Sequence, residues 1–221
     1  MKIHGSGARV VSIAAGIVAL GMGGVAQGQA NHLLISEVGY DTLDEVEIVN
    51  SGPAPVDASG YWWCNGATSP SCGLVTGIST INPALSTASS FSSIGPGEIL
   101  VLELPAGFLS APSGELALYR TSSIGSASAL EDYIAWGADG AGDVVAATAG
   151  IWIDNDFVDV SGLGPGETIQ LGLGMPGDQA SDYFIGPSSL GVAQSVPAPG
   201  AGIAGVGLMG FMGVRRRMRR G

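Results

Sequence analysis

The chain has 221 residues, a formal net charge of −11, 37 glycines and 12 prolines, and only 12% of its residues are charged. That is enough chain for one domain with a substantial core, and the Gly and Pro content favours short segments joined by tight turns over long helices. The charges are segregated: between Arg9 and Arg215 the only basic residue is Arg120, against nineteen acidic residues from Glu37 to Asp182, a balance of −18. This excludes nucleic acid as a partner and fits cations, cationic polymers or a salty medium.

Taken from the start, Lys2 and Arg9 precede the apolar run "VVSIAAGIVALGMGGVA" and then "QGQA", with Gly28 and Ala30 at −3 and −1 of a cut before Asn31. This is the layout of a secretory signal peptide over residues 1–30, with a retained membrane anchor as the alternative.

From Leu33 short β segments follow: "LLISEVG", "EVEIVN", "GYWWCNG", "EILVLEL", "ELALYR", "DYIAWG" and "ETIQLGL". In "EVEIVN" the strict alternation turns Glu45 and Glu47 outward and Val46 and Ile48 inward, so the two glutamates read as an exposed sheet face. Breakers such as "NSGPAPVDASG" and "APSGE" separate the runs. "IGPGE" and "LGPGE" repeat a Gly-Pro-Gly-Glu turn before a strand, Pro fixing φ and Gly accepting positive φ. Only "DVVAATAG" has helical composition, enough for one or two turns. Strands at this spacing predict an all-β two-sheet sandwich, with residues 139–190 as a β extension of the same domain, adding two strands from "GIWIDNDFVDVSGLGPGETIQLGL" at a sheet edge.

Cys64 and Cys72 are the only cysteines, and in an exported chain they predict a disulfide; a two-Cys metal site needs further ligands, and none lies nearby in sequence. His32 is the one histidine after the predicted cut, which removes Ser-His-Asp and Cys-His catalysis, and no catalytic residue is assigned. Asp154, Asp156 and Asp159 in "DNDFVD" offer oxygen ligands for Ca²⁺, although the EF-hand pattern fails at Val158, Asp159 and Pro165 and a solvated acidic turn is the commoner reading. Asp139 and Asp143 are weaker candidates. Paired carboxylates of a hydrolase are a further alternative, with no pair marked by the sequence. Adjacent Trp62 and Trp63 must point to opposite faces of a strand, so one of them is a candidate contact surface.

After a spacer at 191–200, the apolar run Ala201–Val214 spans only about 21 Å as a helix against a hydrocarbon core of about 30 Å. Arg215, Arg216, Arg217, Arg219 and Arg220 follow as a cationic stop that stays on the cytoplasmic side.

Two resemblances join these readings. Val196, Pro197 and Pro199 in "VPAPG", the Gly/Leu-rich run and "RRRMRR" resemble PEP-CTERM sorting signals, with Ala198 where that motif has Glu; the resemblance implies an exosortase-like processing enzyme as partner and at least transient membrane association through residues 201–221, with a plain single-pass anchor as the alternative. "LLISEV", "EVEIVNSGPAPVDASGYWWCNG", "SSIGPGEILVLEL", "SGELALYR" and "LEDYIAWG" resemble the lamin-tail domain, an immunoglobulin-like β-sandwich. That match covers about Leu33–Gly137, strongest at Glu47–Asn50 with Asp57, Ser59 and Gly60, and places the domain at 31–138. Together they imply an exported envelope or cell-surface protein with a non-enzymatic structural, adhesive or matrix-binding role. Its partners on this reading are extracellular polysaccharide or a matrix protein, and no cofactor is implied beyond the Ca²⁺ alternative.

Overall fold

In the computed structural model, which describes residues 33–40, 44–66, 71–110 and 112–192, each of the β segments read from Leu33 onward forms a strand. The predicted signal peptide, Val196, Pro197, Pro199 and the five arginines of the tail lie outside the described residues. In chain order the elements are β1 (Leu33–Gly39), β2 (Glu45–Asn50), β3 (Trp62–Cys64), β4 (Cys72–Leu74), α1 (Val75–Ile78), β5 (Thr80–Ile81), β6 (Ile99–Glu103), β7 (Gly114–Tyr119), β8 (Leu130–Trp136), α2 (Asp143–Ala149), β9 (Glu167–Leu171) and β10 (Tyr183–Pro187).

The strands form two antiparallel sheets, β10-β9-β1-β2-β6-β5 and β4-β3-β7-β8. The fold is therefore all-β and sandwich-like, as predicted. Of the two strands expected from the stretch around "WIDNDF", only β9 forms there. Residues 152–157 make no strand, and Val158 contributes an isolated parallel bridge to Trp136. The second strand is β10, and the β9–β10 hairpin continues the sheet beyond β1, with Glu37 opposite Gln170.

The alternation in β2 sets the faces. Ile48 and Val46 lie in register with Leu100 and Leu102 of β6, and all four are fully buried in the core with Ile35, Trp63, Leu116 and Ile134. In β1 the register slips between Ile35 and Glu37, where Ser36 is an extra residue. A bulge re-phases every side chain after it, so Val38 stays inward while Glu37 comes to lie opposite Glu47 on the outer face.

The repeated turns have one construction. Glu98 N donates to Gly95 O at 2.9 Å and Glu167 N to Gly164 O at 3.1 Å, with Gly97 and Gly166 at φ +74° and +77°. This is a type II turn, for which Pro then Gly are the favoured central residues. The closing glutamate adds a second bond in each copy: Gly95 N reaches Glu98 Oε2 at 2.6 Å and Gly164 N reaches Glu167 Oε2 at 2.7 Å. The helical stretch α2 ends, as its composition predicts, at Gly150, left-handed at φ 73°. Among the described residues no helix is long and apolar enough to cross a membrane.

Candidate functional site

Cys64 and Cys72 face each other in the β3–β4 register and are joined by a disulfide of 2.08 Å. Cys64 is buried and Cys72 half-buried. The link spans eight residues and pins β4, a strand of three residues, to β3.

A polar concavity lies beside this hairpin. Glu115 of β7, 5% exposed, accepts two hydrogen bonds through Oε2, from Tyr133 Oη at 2.5 Å and from Gly142 N at 2.7 Å. The Tyr133 hydroxyl is pushed far above its ordinary range, first by burial and then by the Glu115 carboxylate it donates to. The Gly137–Gly142 loop closes tightly over this pair, since a Cβ at Gly140 would overlap both Tyr133 Oη and Glu115 Oε2. Asn65, Gly66, Ser113, Glu115, Asp139 and Gly140 line an open cavity of about 230 Å³.

Three more carboxylates adjoin it. Asp139 lies beside Asp143, and this neighbour is the first cause that pushes its carboxyl up. Asp143 is raised by burial but held lower overall by the Asn155 amide, Asp139, the Val144 amide and Asp154. Asn155 bends back in the left-handed region at φ 61° to donate its amide to Asp143 Oδ2 at 2.8 Å.

The structure does not bring Asp154, Asp156 and Asp159 together. Asp154 turns to Asp143, Asp156 Oδ2 accepts the Ala180 amide at 2.8 Å, and Asp159 Oδ1 accepts the Ser161 amide at 2.9 Å. Each closes a different loop. Among the described residues no group of three or more His, Cys, Asp or Glu side chains is placed to hold a metal ion.

The reading of Glu45 and Glu47 as an exposed face is corrected. Both lie on the outer face, but Glu47 is only 1% exposed, and Glu45 is half-buried beside Glu103. Residues 188–192 cover that face. Trp63 is fully buried; Trp62, the candidate contact residue, is half-buried and packs against the core.

Other acids stand out only in the structure. Glu37 accepts bonds from Thr168 Oγ1 at 2.6 Å, Ser188 Oγ at 3.1 Å and Ser189 N at 2.9 Å. Glu131 and Asp132 of β8 reach across to β1, accepting the amides of Leu33 at 2.9 Å and Ile35 at 2.5 Å. These donors are left over because β9 pairs β1 only at Glu37 and Val38. No sequence motif marks any of these contacts.

Comparison of the chain with protein-family models, with curated proteins and with solved structures gives no match.

Proposed function

We propose that the chain is an exported, non-enzymatic structural or adhesive domain of the bacterial envelope or cell surface, an immunoglobulin-like sandwich of the lamin-tail type. The observation that carries this reading is the Cys64–Cys72 disulfide, because such bonds persist in oxidising compartments and not in the cytosol. The signal-like start and the "VPAPG" to "RRRMRR" ending agree with it: the first directs export, the second holds the chain for an exosortase-like enzyme. The proposed partners are extracellular polysaccharide or a matrix protein.

The test is expression of the full chain in an exosortase-bearing bacterium, with one epitope tag inserted at the exposed Ser122 and another at the C-terminus. The expected result is an oxidised protein in the envelope fraction that keeps the internal tag and has lost the terminal one. Cytosolic protein with both thiols free to alkylate overturns the reading. A terminal tag retained on membrane-embedded protein overturns the processing part alone.

A further inference from the structure

The chain does not leave the domain where its last strand ends. After Pro187, Ser188 N donates to Gly166 O at 3.1 Å, and residues 188–192 then cross the outer face of the six-stranded sheet. Over β1, Ser189 gives its amide to Glu37 Oε1 at 2.9 Å and its hydroxyl to Glu37 Oε2 at 2.6 Å. Over β2, Gly191 gives its amide to Glu47 Oε2 at 2.8 Å. Gly191 stands at φ +81°, and a Cβ there would lie 2.7 Å from Leu85 O, so only glycine passes this point without displacing the backbone.

This attachment differs in kind from the strand ladders beneath it. Its bonds over β1 and β2 end on side chains, and its apolar contribution is small: Ser188 and Val192 are exposed, and Ser189, Leu190 and Gly191 half-buried. The two acceptors are carboxylates directly opposite each other, 0% and 1% exposed. Residues 188–192 contain no charge, and the only Lys or Arg in the described residues, Arg120, is bound to Glu131 on the other sheet. Closing the strap thus removes two like charges from water with only N–H and O–H donors in return. Burial accordingly pushes the Glu47 carboxyl up, the Gly191 amide and Ser36 hydroxyl pull it down, and Glu37 adds to the rise. Such an attachment opens at lower free energy than the sheets.

We propose that Ser188–Val192 is a releasable latch at the root of the C-terminal chain: it opens while both sheets stay intact, and in opening it bares a trough floored by Glu37 and Glu47 and flanked by Thr168 and Gln170. Release adds five residues to the tether, about 17 Å at about 3.4 Å per extended residue. It also exposes two carboxylates that suit an extended segment offering N–H and O–H donors. Tension on the C-terminal chain reaches this latch before any strand of the described residues. The inference stands on the contacts alone, whether or not residues 196–221 are a sorting signal.

Residue-resolved hydrogen exchange on the full chain tests it. In the wild type, the Ser189 and Gly191 amides are expected to be protected, yet to exchange at least about tenfold faster than the β1 and β2 amides. Gly191→Pro removes the donor and cannot adopt the left-handed φ, so strap protection disappears while β1, β2 and β9 keep theirs. Ser189→Ala, which leaves the backbone free to fold, gives a smaller rise confined to residues 188–192. The latch is overturned if Ser189 and Gly191 are unprotected in the wild type, if they exchange in step with the sheets, or if Ser189→Ala lowers protection throughout β1, β2 and β9.

Discussion

Two pairs of buried acids, one on each sheet, solve the same problem differently. Glu37 and Glu47 on the six-stranded sheet are surrounded by neutral donors: hydroxyls of Ser36, Thr168, Ser188 and Ser189, and amides of Ser189 and Gly191. Glu131 and Asp132 on β8 have fewer. Glu131 is paired with Arg120 at 3.4 Å, while Asp132 takes the Ile35 amide on Oδ2 and leaves Oδ1 without a hydrogen-bond partner. Burial drives the Asp132 carboxyl well above its usual range, the Ile35 and Tyr133 amides oppose this, and Glu131 and Asp178 reinforce it. One pair is thus held by donors, while the other rests on a cation at Glu131 and a carboxyl at Asp132 that burial pushes up. The acidity of the chain is consequently not only a surface property, since Glu37, Glu47, Glu115, Glu131, Asp132 and Asp182 are all buried acceptors.

The contrast is broken most severely at Arg120. Arg120→Gln leaves Glu131, 1% exposed, as an uncompensated buried charge and is expected to cost about 3 kcal/mol in denaturant unfolding. A cost under about 1 kcal/mol would show that the Leu33 amide suffices, and that the two pairs do not differ.

The raised Asp132 carboxyl gives the next effect. Because the folded carboxyl is raised above 3.8, its contribution is present in full below that pH and is lost as pH rises through the folded value. Asp132→Asn abolishes this loss, so the variant should gain on the wild type as pH rises. Thermal unfolding of both proteins from pH 4 to 8 measures it, and parallel curves would place a charged Asp132 in the fold.

The smallest change sharpens the other side. Thr168→Val removes one of several donors to Glu37 and is expected to cost about 1 kcal/mol, since the serine hydroxyls and the Ser189 amide remain. A loss as large as that of Arg120→Gln would mean that the donors act as one unit.

The sequence was legible where a local rule decides the outcome. "EVEIVN" alternates, "GPGE" carries its own turn chemistry, and "DVVAATAG" closes on a glycine, and each appears where expected. β4 and β5 are too short to show a period, and β10 contains Gly-Pro, which reads as a breaker because nothing local reveals that it is an edge strand. The burial of Glu47 was illegible for a different reason. Its cover, "SSLGV", has no periodicity and lies 144 residues away at Gly191. Likewise, the spacing of Asp154, Asp156 and Asp159 invited a shared ligand, whereas Asp156 and Asp159 each accept a separate backbone amide and Asp154 turns to Asp143.

The strap has a consequence for the order in which the molecule assembles. β1 emerges early in synthesis, yet Glu37 waits for Thr168, 131 residues later, and for Ser189, 152 residues later. Pairings this distant are closed slowly, because the intervening chain must be ordered before they form. Until then the two glutamates remain hydrated and keep the nascent β1–β2 hairpin soluble on one face. The last described residues of the chain are therefore those that dry its first strands.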